Sequence, residues 1–162
     1  MTKQEFSRCI HDHEKAMYAL AYGIVKNQED AADVVQDAIV KAYTSLDSLR
    51  DPKLFKPWIL RIVHNTAMSF LRGRRDTEDL EEQYDLAAPD PGVDQETRLT
   101  VWEAVNQLKM PYRLVLVLYY YDGCSVGHIA AITATPVAAV RQQLSRGRKM
   151  LAKLLNKEDF LR

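Results

Sequence analysis

The stretch that decides the fold spans residues 135–151 and reads TPVAAVRQQLSRGRKML. Apolar residues recur there and just beyond at three-, four- and seven-residue steps, which predicts one buried helix face: Val137, Val140, Leu144, Leu151 and Leu154. We expect Thr135 to cap this helix and Pro136 to fill its first position. The other face is cationic or hydrogen-bonding, and residues 136–155 contain no Asp or Glu. Such a helix fits a DNA major groove, although solvated surface helices and membrane-binding helices share the pattern.

The residues just before this helix favour DNA. Residues 125–132 read as a short helix with Ser125 as its cap, and Thr133-Ala134-Thr135 reads as a tight turn. A short helix, a turn and a basic helix form the helix-turn-helix pattern, whose second helix enters the groove with its N-terminus first. On this geometry the residues that face bases are Ala138, Arg141 and Gln142. The residues expected to meet phosphate are Arg146, Arg148 and Lys149.

Charge is segregated along the chain, although the 22 basic and 22 acidic residues give a formal net charge of zero. The segment from Lys56 to Arg75 contains no acid. Residues 76–96 then carry many acids and no Lys or Arg, and residues 141–153 are basic again. Two cationic surfaces separated by an anionic segment can each keep their own field.

The composition argues against several other classes of protein. Cys9 and Cys124 are too few for a disulfide framework or a zinc site, and they suit a reducing cytosol as small buried hydrophobes. The polar N-terminus predicts no signal peptide, and the longest apolar run, residues 114–121, is too short to cross a bilayer. The pair His11 and His13 lacks a third metal ligand, and no phosphate loop or nucleophile elbow occurs. We therefore expect a cytoplasmic protein without membrane insertion, metal, cofactor or enzymatic activity.

Helical periodicity runs through most of the chain, and no segment alternates long enough to make a strand. We predict helices over residues 3–25, 28–46, 57–72 and 95–108, and a fifth from Pro111 to the Asp122–Gly123 turn. Predicted boundary signals are caps at Asn27 and Asp94 and a stop at Gly73. Residues 77–94 are acidic, contain prolines and break every period, so we predict a linker there. The predicted fold is all-α: two small helical domains joined by an acidic flexible linker, the second containing the helix-turn-helix.

Three stretches, in this order, resemble bacterial sigma factors of the extracytoplasmic-function type, the small group-four members of the sigma-70 family. Residues 30–38, DAADVVQDA, are similar to that family's core-polymerase-binding helix. Residues 55–67, FKPWILRIVHNTA, with LRGRR at 71–75, are similar to its promoter-melting segment. Residues 129–151 are similar to its upstream-element reader without a gap. The resemblance covers nearly the whole chain, and the acidic linker lies between the second and third stretches.

The resemblance implies a dissociable subunit of RNA polymerase that recognises promoter DNA. Its core-polymerase contacts would be Asp33, Val34, Gln36 and Asp37. Its minus-ten DNA contacts would be Lys56, Arg61, Asn65, Arg72, Arg74 and Arg75. Its minus-35 DNA contacts would be Ala138, Arg141, Gln142, Ser145, Arg146, Arg148 and Lys149. The implied domains are residues 1–75 for polymerase and the minus-ten element, 76–94 for the linker, and 95–162 for the minus-35 element.

The resemblance also implies binding partners for the chain. Family members are often held silent by an anti-sigma factor, so such a protein is a candidate partner beside core RNA polymerase and promoter DNA. The alternative function is a stand-alone helix-turn-helix regulator, which would bind specific duplex DNA without polymerase. A sigma factor would bind DNA weakly alone and would support promoter-specific transcription with core enzyme.

Two sites depart from the family pattern, the three-residue turn and a single position in the last helix. The turn Thr133-Ala134-Thr135 stands where the family usually has Leu-Gly-Ile. Because the family's glycine commonly serves a position with positive φ, we expect either strain at Ala134 or a different turn. Gly147 stands where the family usually has Ala, which we expect to weaken the last helix mildly.

Overall fold

The structure is a computed structural model, and it describes residues 1–77 and 100–160, without the side chains of 75–77 and 157–160. Every regular element in these two ranges is helical, which confirms the predicted all-α class. Of the predicted linker, residues 78–94 lie outside the described residues, as does the predicted cap Asp94. Within the described ranges, no helix combines the length and apolar character that crossing a membrane requires.

The N-terminal helices are α1 (Lys3–Val25), α2 (Gln28–Thr44) and α3 (Phe55–Thr77), and they pack against one another in a bundle. Two 3₁₀ turns, Leu46–Ser48 and Pro52–Leu54, connect α2 to α3. The side chain of Asn27 accepts a hydrogen bond from the Asp30 N–H at 2.9 Å, so the predicted cap of α2 is confirmed. This cap lets α2 begin with only two residues, Lys26 and Asn27, between it and the end of α1.

The predicted end of α3 at Gly73 is wrong, because the helix continues to Thr77. The Arg74 guanidinium lies 2.9 Å from the Asp30 carboxylate, which ties the last turns of α3 to the first turn of α2. The same guanidinium lies over the Phe70 ring, 5.8 Å from its centroid. These contacts offset the roughly 1 kcal/mol that a glycine costs inside a helix.

The C-terminal helices are α4 (Val101–Gln107), α5 (Tyr112–Leu116), α6 (Val126–Thr133) and α7 (Val137–Phe160). A π-helical turn over Val117–Tyr121 extends α5 and ends at the predicted turn, where Gly123 has φ 67°. The Thr100 side chain accepts from the Glu103 N–H at 3.1 Å, so it is the cap that begins α4 in the described range.

Helices α6 and α7 form the predicted helix-turn-helix. Ser125 caps α6 by accepting from the His128 N–H at 3.1 Å, as predicted. Ala134 adopts the left-handed conformation, φ 52° and ψ 46°, so the strained alternative for this turn is the one present. Helix α7 begins at Val137, one residue later than predicted. The predicted cap Thr135 instead donates its hydroxyl to the Thr133 carbonyl at 3.2 Å.

Gly147 is buried where α7 crosses α5. A Cβ at this position would lie 3.2 Å from Leu116 Cδ1 and 3.6 Å from Tyr112 Cβ. A contact of 3.2 Å is tighter than side chains normally tolerate, so the glycine lets the two helices approach closely. The helical weakness expected at Gly147 is therefore accompanied by a packing role.

The N-terminal and C-terminal helices share one apolar core rather than standing apart. Helix α1 packs against α2 and α3 and also against α5 and the π-helical turn, while α3 packs against α6. The contiguous cluster includes residues from both ends of the chain that are almost fully buried: Met17, Leu20, Ile59, Leu116, Leu118, Ile129 and Ile132. The predicted domain boundaries stay a prediction, but the two helical sets are in direct contact.

Ala134→Gly should raise the free energy of unfolding by about 1 kcal/mol. The left-handed conformation costs an L-residue roughly 1–2 kcal/mol, and part of that gain is lost to the greater freedom of glycine in the unfolded chain. Urea denaturation measures the difference. Ala131→Gly, at an exposed position within α6, is the matched control and should lower stability by about 1 kcal/mol. Equal losses in both variants would contradict strain at Ala134.

Candidate nucleic-acid interface

The outer face of α7 carries every residue predicted to read the minus-35 element. All of these side chains are exposed: Ala138, Arg141, Gln142, Ser145, Arg146, Arg148 and Lys149. Val140 and Leu144 on the opposite face are 0% and 2% exposed and pack into the core. Since residues three and four apart share a helix face, the structure brings the predicted set together on one cationic surface free of acids.

Tyrosines that the sequence analysis did not single out orient one member of this surface. The Arg148 Nε donates to the Tyr120 hydroxyl at 2.7 Å, and its guanidinium lies 5.4 Å from the centroid of the Tyr119 ring. The hydrogen bond raises the pKa of Arg148, which stays charged at every physiological pH. Both tyrosines belong to the π-helical turn, so the packing of that turn against α7 brings their rings to the Arg148 side chain.

The residues predicted to bind minus-ten DNA divide between two sides of α3. Arg61, Asn65 and Arg72 recur at intervals of four and seven residues, within about 40° of one another on the helix, and all are exposed. Lys56 and Arg74 lie on another side of α3 and are half-buried. The side chain of Arg75 lies outside the described residues.

The exposed stripe of α3 is engaged within the chain. The Arg61 Nη1 donates to the Ala131 carbonyl of α6 at 3.1 Å, which joins the stripe to the helix-turn-helix. The Asn65 Oδ1 lies 3.1 Å from the His64 Nδ1. Burial lowers the pKa of His64, so its imidazole is neutral near pH 7. The Arg72 Nη2 donates to the Ser69 hydroxyl one turn earlier, at 3.0 Å.

Trp58, at the start of α3, is half-buried and links the helix to the preceding loop. Its Nε1 donates to the Ser48 hydroxyl at 3.0 Å, and its ring lies 5.6 Å from the ring of Phe55. This hydrogen bond ties the loop of residues 47–55 to the first turn of α3.

Lys56 faces a turn of the C-terminal helices, a contact that the sequence did not suggest. A Cβ on Gly123 would lie 3.6 Å from the Lys56 Nζ. Asp122 is 2% exposed, and neither of its carboxyl oxygens has a hydrogen-bond partner within the described part of the chain. Burial raises the pKa of Asp122 to about 8, against the opposing effect of the Lys56 charge. Burial, then the Asp122 charge, raises the pKa of the neighbouring Cys124 to about 11.

The outer face of α2 presents an acidic ridge. Asp33, Gln36 and Asp37 are exposed, as a polymerase contact requires. Val34 is only 1% exposed, so it packs in the core and is not available to a partner. Val34 is therefore removed from the predicted polymerase contacts, because α2 turns its side chain toward α1 and α3.

An apolar groove of about 480 Å³ runs beside the acidic ridge, between α1 and α2. Apolar side chains and small alanines form most of its wall: Tyr18, Ala19, Ala32, Val35, Ile39 and Trp102. Trp102 comes from α4, far away in sequence, so no local pattern could reveal the groove. The arrangement offers a partner an acidic edge next to apolar surface.

No group of three or more His, Cys, Asp or Glu side chains within residues 1–77 and 100–160 is placed to hold a metal ion. His13, one of the histidines singled out in the sequence, directs its Nδ1 toward the Cys9 carbonyl at 2.8 Å.

The fold and these faces define a helical DNA-binding protein with a helix-turn-helix at its C-terminal end. Comparison with known families gives matches to Sigma-70 region 2 over residues 9–77 and to Sigma-70, region 4 over residues 98–151. The chain therefore belongs to the sigma-70 family of RNA polymerase sigma factors, and to its extracytoplasmic-function (ECF) type.

Individual relatives agree with this assignment. The chain is 32% identical to the RNA polymerase sigma factor SigV of Bacillus subtilis, over 98% of this chain and 96% of SigV. It is 34% identical to the ECF RNA polymerase sigma-E factor of Escherichia coli K12, over 75% of this chain and 72% of that protein.

Two solved structures share the arrangement of helices. The sigma factor RpoE, in complex with the anti-sigma factor NepR from Bartonella quintana, matches with a TM-score of 0.75 at 26% identity, over 94% of this chain and 98% of that chain. CnrH, in complex with the cytosolic domain of CnrY, matches with a TM-score of 0.69 at 27% identity, over 96% of this chain and 90% of that chain.

Asp122→Asn should remove a pH dependence of stability. A carboxyl whose pKa is raised in the folded state stabilises the fold fully below its unfolded pKa, and this contribution is lost as pH rises through the folded value. Between about pH 4 and pH 8, the wild-type free energy of unfolding should therefore fall by up to roughly 1.4 kcal/mol per pH unit relative to the variant. Urea titrations at pH 5 and pH 7.5 measure the slope. Parallel pH profiles for the two proteins would contradict a protonated Asp122.

Proposed function

We propose which parts of this sigma factor bind polymerase, the minus-ten element and the minus-35 element. As a sigma factor, it directs core RNA polymerase to specific promoters and initiates transcription. We assign residues 1–75 to polymerase binding and the minus-ten element, 76–94 to a tether, and 95–162 to the minus-35 element. The observation that carries this assignment is the exposed, acid-free cationic face of α7, the second helix of a helix-turn-helix, joined to a second helical set with its own cationic stripe.

The α7 face reads the minus-35 element. Ala138, Arg141 and Gln142 lie near the N-terminus of α7, where a recognition helix meets base edges. Arginine and glutamine can each form paired hydrogen bonds with a base in the major groove. Ser145, Arg146, Arg148 and Lys149 contact the phosphates, with Arg148 held in place by Tyr120.

The α3 stripe binds the minus-ten element. Arg61 and Arg72 neutralise phosphates, and Asn65 lies between them on the same exposed stripe, where it hydrogen-bonds an unstacked base. Lys56 and Arg74 support this surface from behind through the Asp122–Gly123 turn and Asp30. Arg75 extends the cationic run, as the sequence predicts.

The acidic ridge of α2 binds core RNA polymerase through Asp33, Gln36 and Asp37. All three are exposed on one helix, and the predicted member Val34 supports them from the core. Exposed carboxylates steer association with a basic partner and fix its register. The adjacent apolar groove would add buried area to the contact.

An anti-sigma factor is a further proposed partner. The structural relative RpoE was solved in complex with the anti-sigma factor NepR, and CnrH in complex with the cytosolic domain of CnrY. The acidic ridge and the groove beside it are the surface of this chain that suits such a competitor of polymerase. Sigma factors are non-enzymatic regulators of transcription, and we propose that this chain likewise has no catalytic activity and works in the cytoplasm.

The proposed division is tested by run-off transcription with purified core polymerase and genomic fragments. We expect promoter-specific transcripts only when the chain is present. Strong sequence-specific duplex binding by the chain alone, without any effect on core polymerase, would instead indicate a stand-alone regulator.

Arg141→Ala or Gln142→Ala should change which bases are preferred in the minus-35 element. Loss of a base contact costs about 1–3 kcal/mol at one base position, while other positions keep their preference. Lys149→Ala should weaken all sequences alike and reduce the slope of log affinity against log salt by about 1. Selection from a promoter library by the holoenzyme, repeated at two salt concentrations, measures both effects. A uniform loss in all three variants would contradict base reading by Arg141 and Gln142.

Asp33→Asn combined with Asp37→Asn should weaken binding to core polymerase about three- to tenfold, because exposed charge pairs contribute modestly and roughly additively. Asp12→Asn, at an exposed position on α1, is the matched control and should bind normally. A pull-down titration at moderate salt provides the measurement. Equal affinity of the double variant and the control would remove α2 from the polymerase interface.

A further inference from the structure

Three consecutive tyrosines lie on the π-helical turn that precedes α6, and all of them are exposed: Tyr119, Tyr120 and Tyr121. Contiguous aromatic surface on a folded protein commonly marks an interaction site. Packing accounts for Tyr121, because its ring meets the edge of Trp102 with centroids 4.7 Å apart. Tyr119 and Tyr120 instead turn toward α7.

The Arg148 side chain is the part of α7 that these two rings contact. Its Nε donates to the Tyr120 hydroxyl at 2.7 Å, and its guanidinium lies 5.4 Å from the Tyr119 ring centroid and 5.9 Å from that of Tyr120. The two rings pack edge to face with centroids 5.0 Å apart. Since the arginine is ordered before any ligand arrives, a ligand that binds it loses less affinity to side-chain entropy.

Backbone geometry on both elements brings the tyrosines to Arg148. The Asp122 N–H donates to the Val117 carbonyl at 3.1 Å, which is the i→i+5 hydrogen bond of a π-helix. Gly147 lets α7 lie close to α5, and Arg148 follows it directly in the chain. The arginine therefore leaves α7 at the edge of this crossing, within reach of the turn that extends α5. Such π-helical turns often occur at functional sites.

The partner of Arg148 is neutral, in contrast to that of the arginine at the end of α3. Arg74 lies 2.9 Å from the carboxylate of Asp30, so the two charges compensate each other. A phenol orients the guanidinium without cancelling its charge. The acid next to the tyrosines in sequence, Asp122, is buried. The tyrosines therefore present an oriented and uncompensated positive charge, which suits an anionic ligand.

Hydrogen-bond accounting shows what else this pair offers to a ligand. A phenol hydroxyl can accept hydrogen bonds and can also donate its own proton. Within residues 1–77 and 100–160, the Tyr120 hydroxyl accepts from Arg148 and donates to no protein group. A guanidinium carries several N–H donors, and the bond to Tyr120 uses the one on Nε. The phenol proton and the outer N–H groups of the guanidinium are therefore available on two side chains already in contact.

The position of Arg148 on α7 indicates the backbone of DNA rather than its base edges. Arg141 and Arg148 are seven residues apart, which places them about 20° apart around the helix and about 10 Å apart along it. Arg141 lies near the N-terminus of α7, the end that enters the groove, so Arg148 lies about two turns farther out. The turn that carries Tyr120 comes just before α6, the helix-turn-helix element that crosses the DNA backbone.

We propose that Tyr120 is itself a DNA contact and forms, with Arg148, a clamp for one backbone phosphate beside the minus-35 element. The Tyr120 hydroxyl accepts from the Arg148 Nε and donates its own proton to a phosphate oxygen. Arg148 binds the same phosphate through its outer N–H groups, and these hydrogen bonds are charge-assisted. This inference rests on the proposed function of α7, and it adds a contact that lies outside the helix-turn-helix.

Tyr120→Phe tests the clamp because it removes the hydroxyl and keeps the ring. The probe is a mixed-sequence DNA duplex of about 25 base pairs at low salt, since phosphate contacts supply non-specific binding. Fluorescence anisotropy with the full chain should show about three- to fivefold weaker binding, the effect of one lost hydrogen bond, with an unchanged salt dependence. Tyr121→Phe is the matched control, because its ring faces Trp102 rather than α7, and it should bind like the wild type.

Arg148→Ala and the double variant Tyr120→Phe/Arg148→Ala complete a mutant cycle on the same duplex. Arg148→Ala should weaken binding about tenfold and reduce the slope of log affinity against log salt by about 0.9, because one phosphate contact is lost. In that background Tyr120→Phe should still weaken binding about twofold, since its proton still meets the phosphate. A tyrosine that only positions Arg148 would have no effect once the arginine is gone.

Two results would overturn the inference: wild-type affinity in Tyr120→Phe, or no effect of Tyr120→Phe in the Arg148→Ala background. Lys149→Ala separates this inference from the proposed function of α7. Weaker binding by Lys149→Ala, with full affinity in Tyr120→Phe, would remove the clamp and leave α7 as the DNA-binding face. Full affinity in Lys149→Ala, Arg148→Ala and Tyr120→Phe alike would refute the proposed function of α7 as well.

Discussion

Helix α1 is packed on two sides, and the rest of the structure depends on that arrangement. One side meets α2 and α3, and the other meets α5 and the π-helical turn. Met17 and Leu20 are 0% exposed as a result. Small helical sets bury a limited fraction of their surface on their own, so a shared core adds stability that each set would lack alone. Separation of the two sets would therefore expose apolar surface.

The cations of this neutral chain differ in what they already bind. Those on the α7 face are mostly free for phosphate, apart from Arg148, which rests on Tyr119 and Tyr120. Those on α3 have partners within the protein: Arg61 meets a carbonyl, and Arg74 meets a carboxylate. A cation with an internal partner contributes to DNA affinity only by the difference between the two environments. Equal numbers of basic residues in two segments therefore do not imply equal DNA affinity.

Local signals account for what the sequence predicted well. Asn27 and Ser125 act as caps through bonds to residues three positions away, and the α7 face follows from one helix's own spacing. Non-local contacts account for what it missed. Gly73 looks like a stop until Arg74 finds Asp30 on another helix, and Val34 looks like a contact residue until α2 is packed. Trp102 and Asp122 gain their roles only from helices distant in sequence, a property that periodicity does not record.

Gly147 lets α7 pack closely against α5, and this position also sets the direction in which α7 projects from the rest of the protein. A larger side chain there would contact Leu116 too closely, and α7 would tilt away from α5 at one end. The residues at the far N-terminal end of α7 would then swing through an arc, without any change in their own chemistry. A substitution at this buried position would thus alter the angle at which α7 meets DNA, while the residues proposed to contact bases stayed the same.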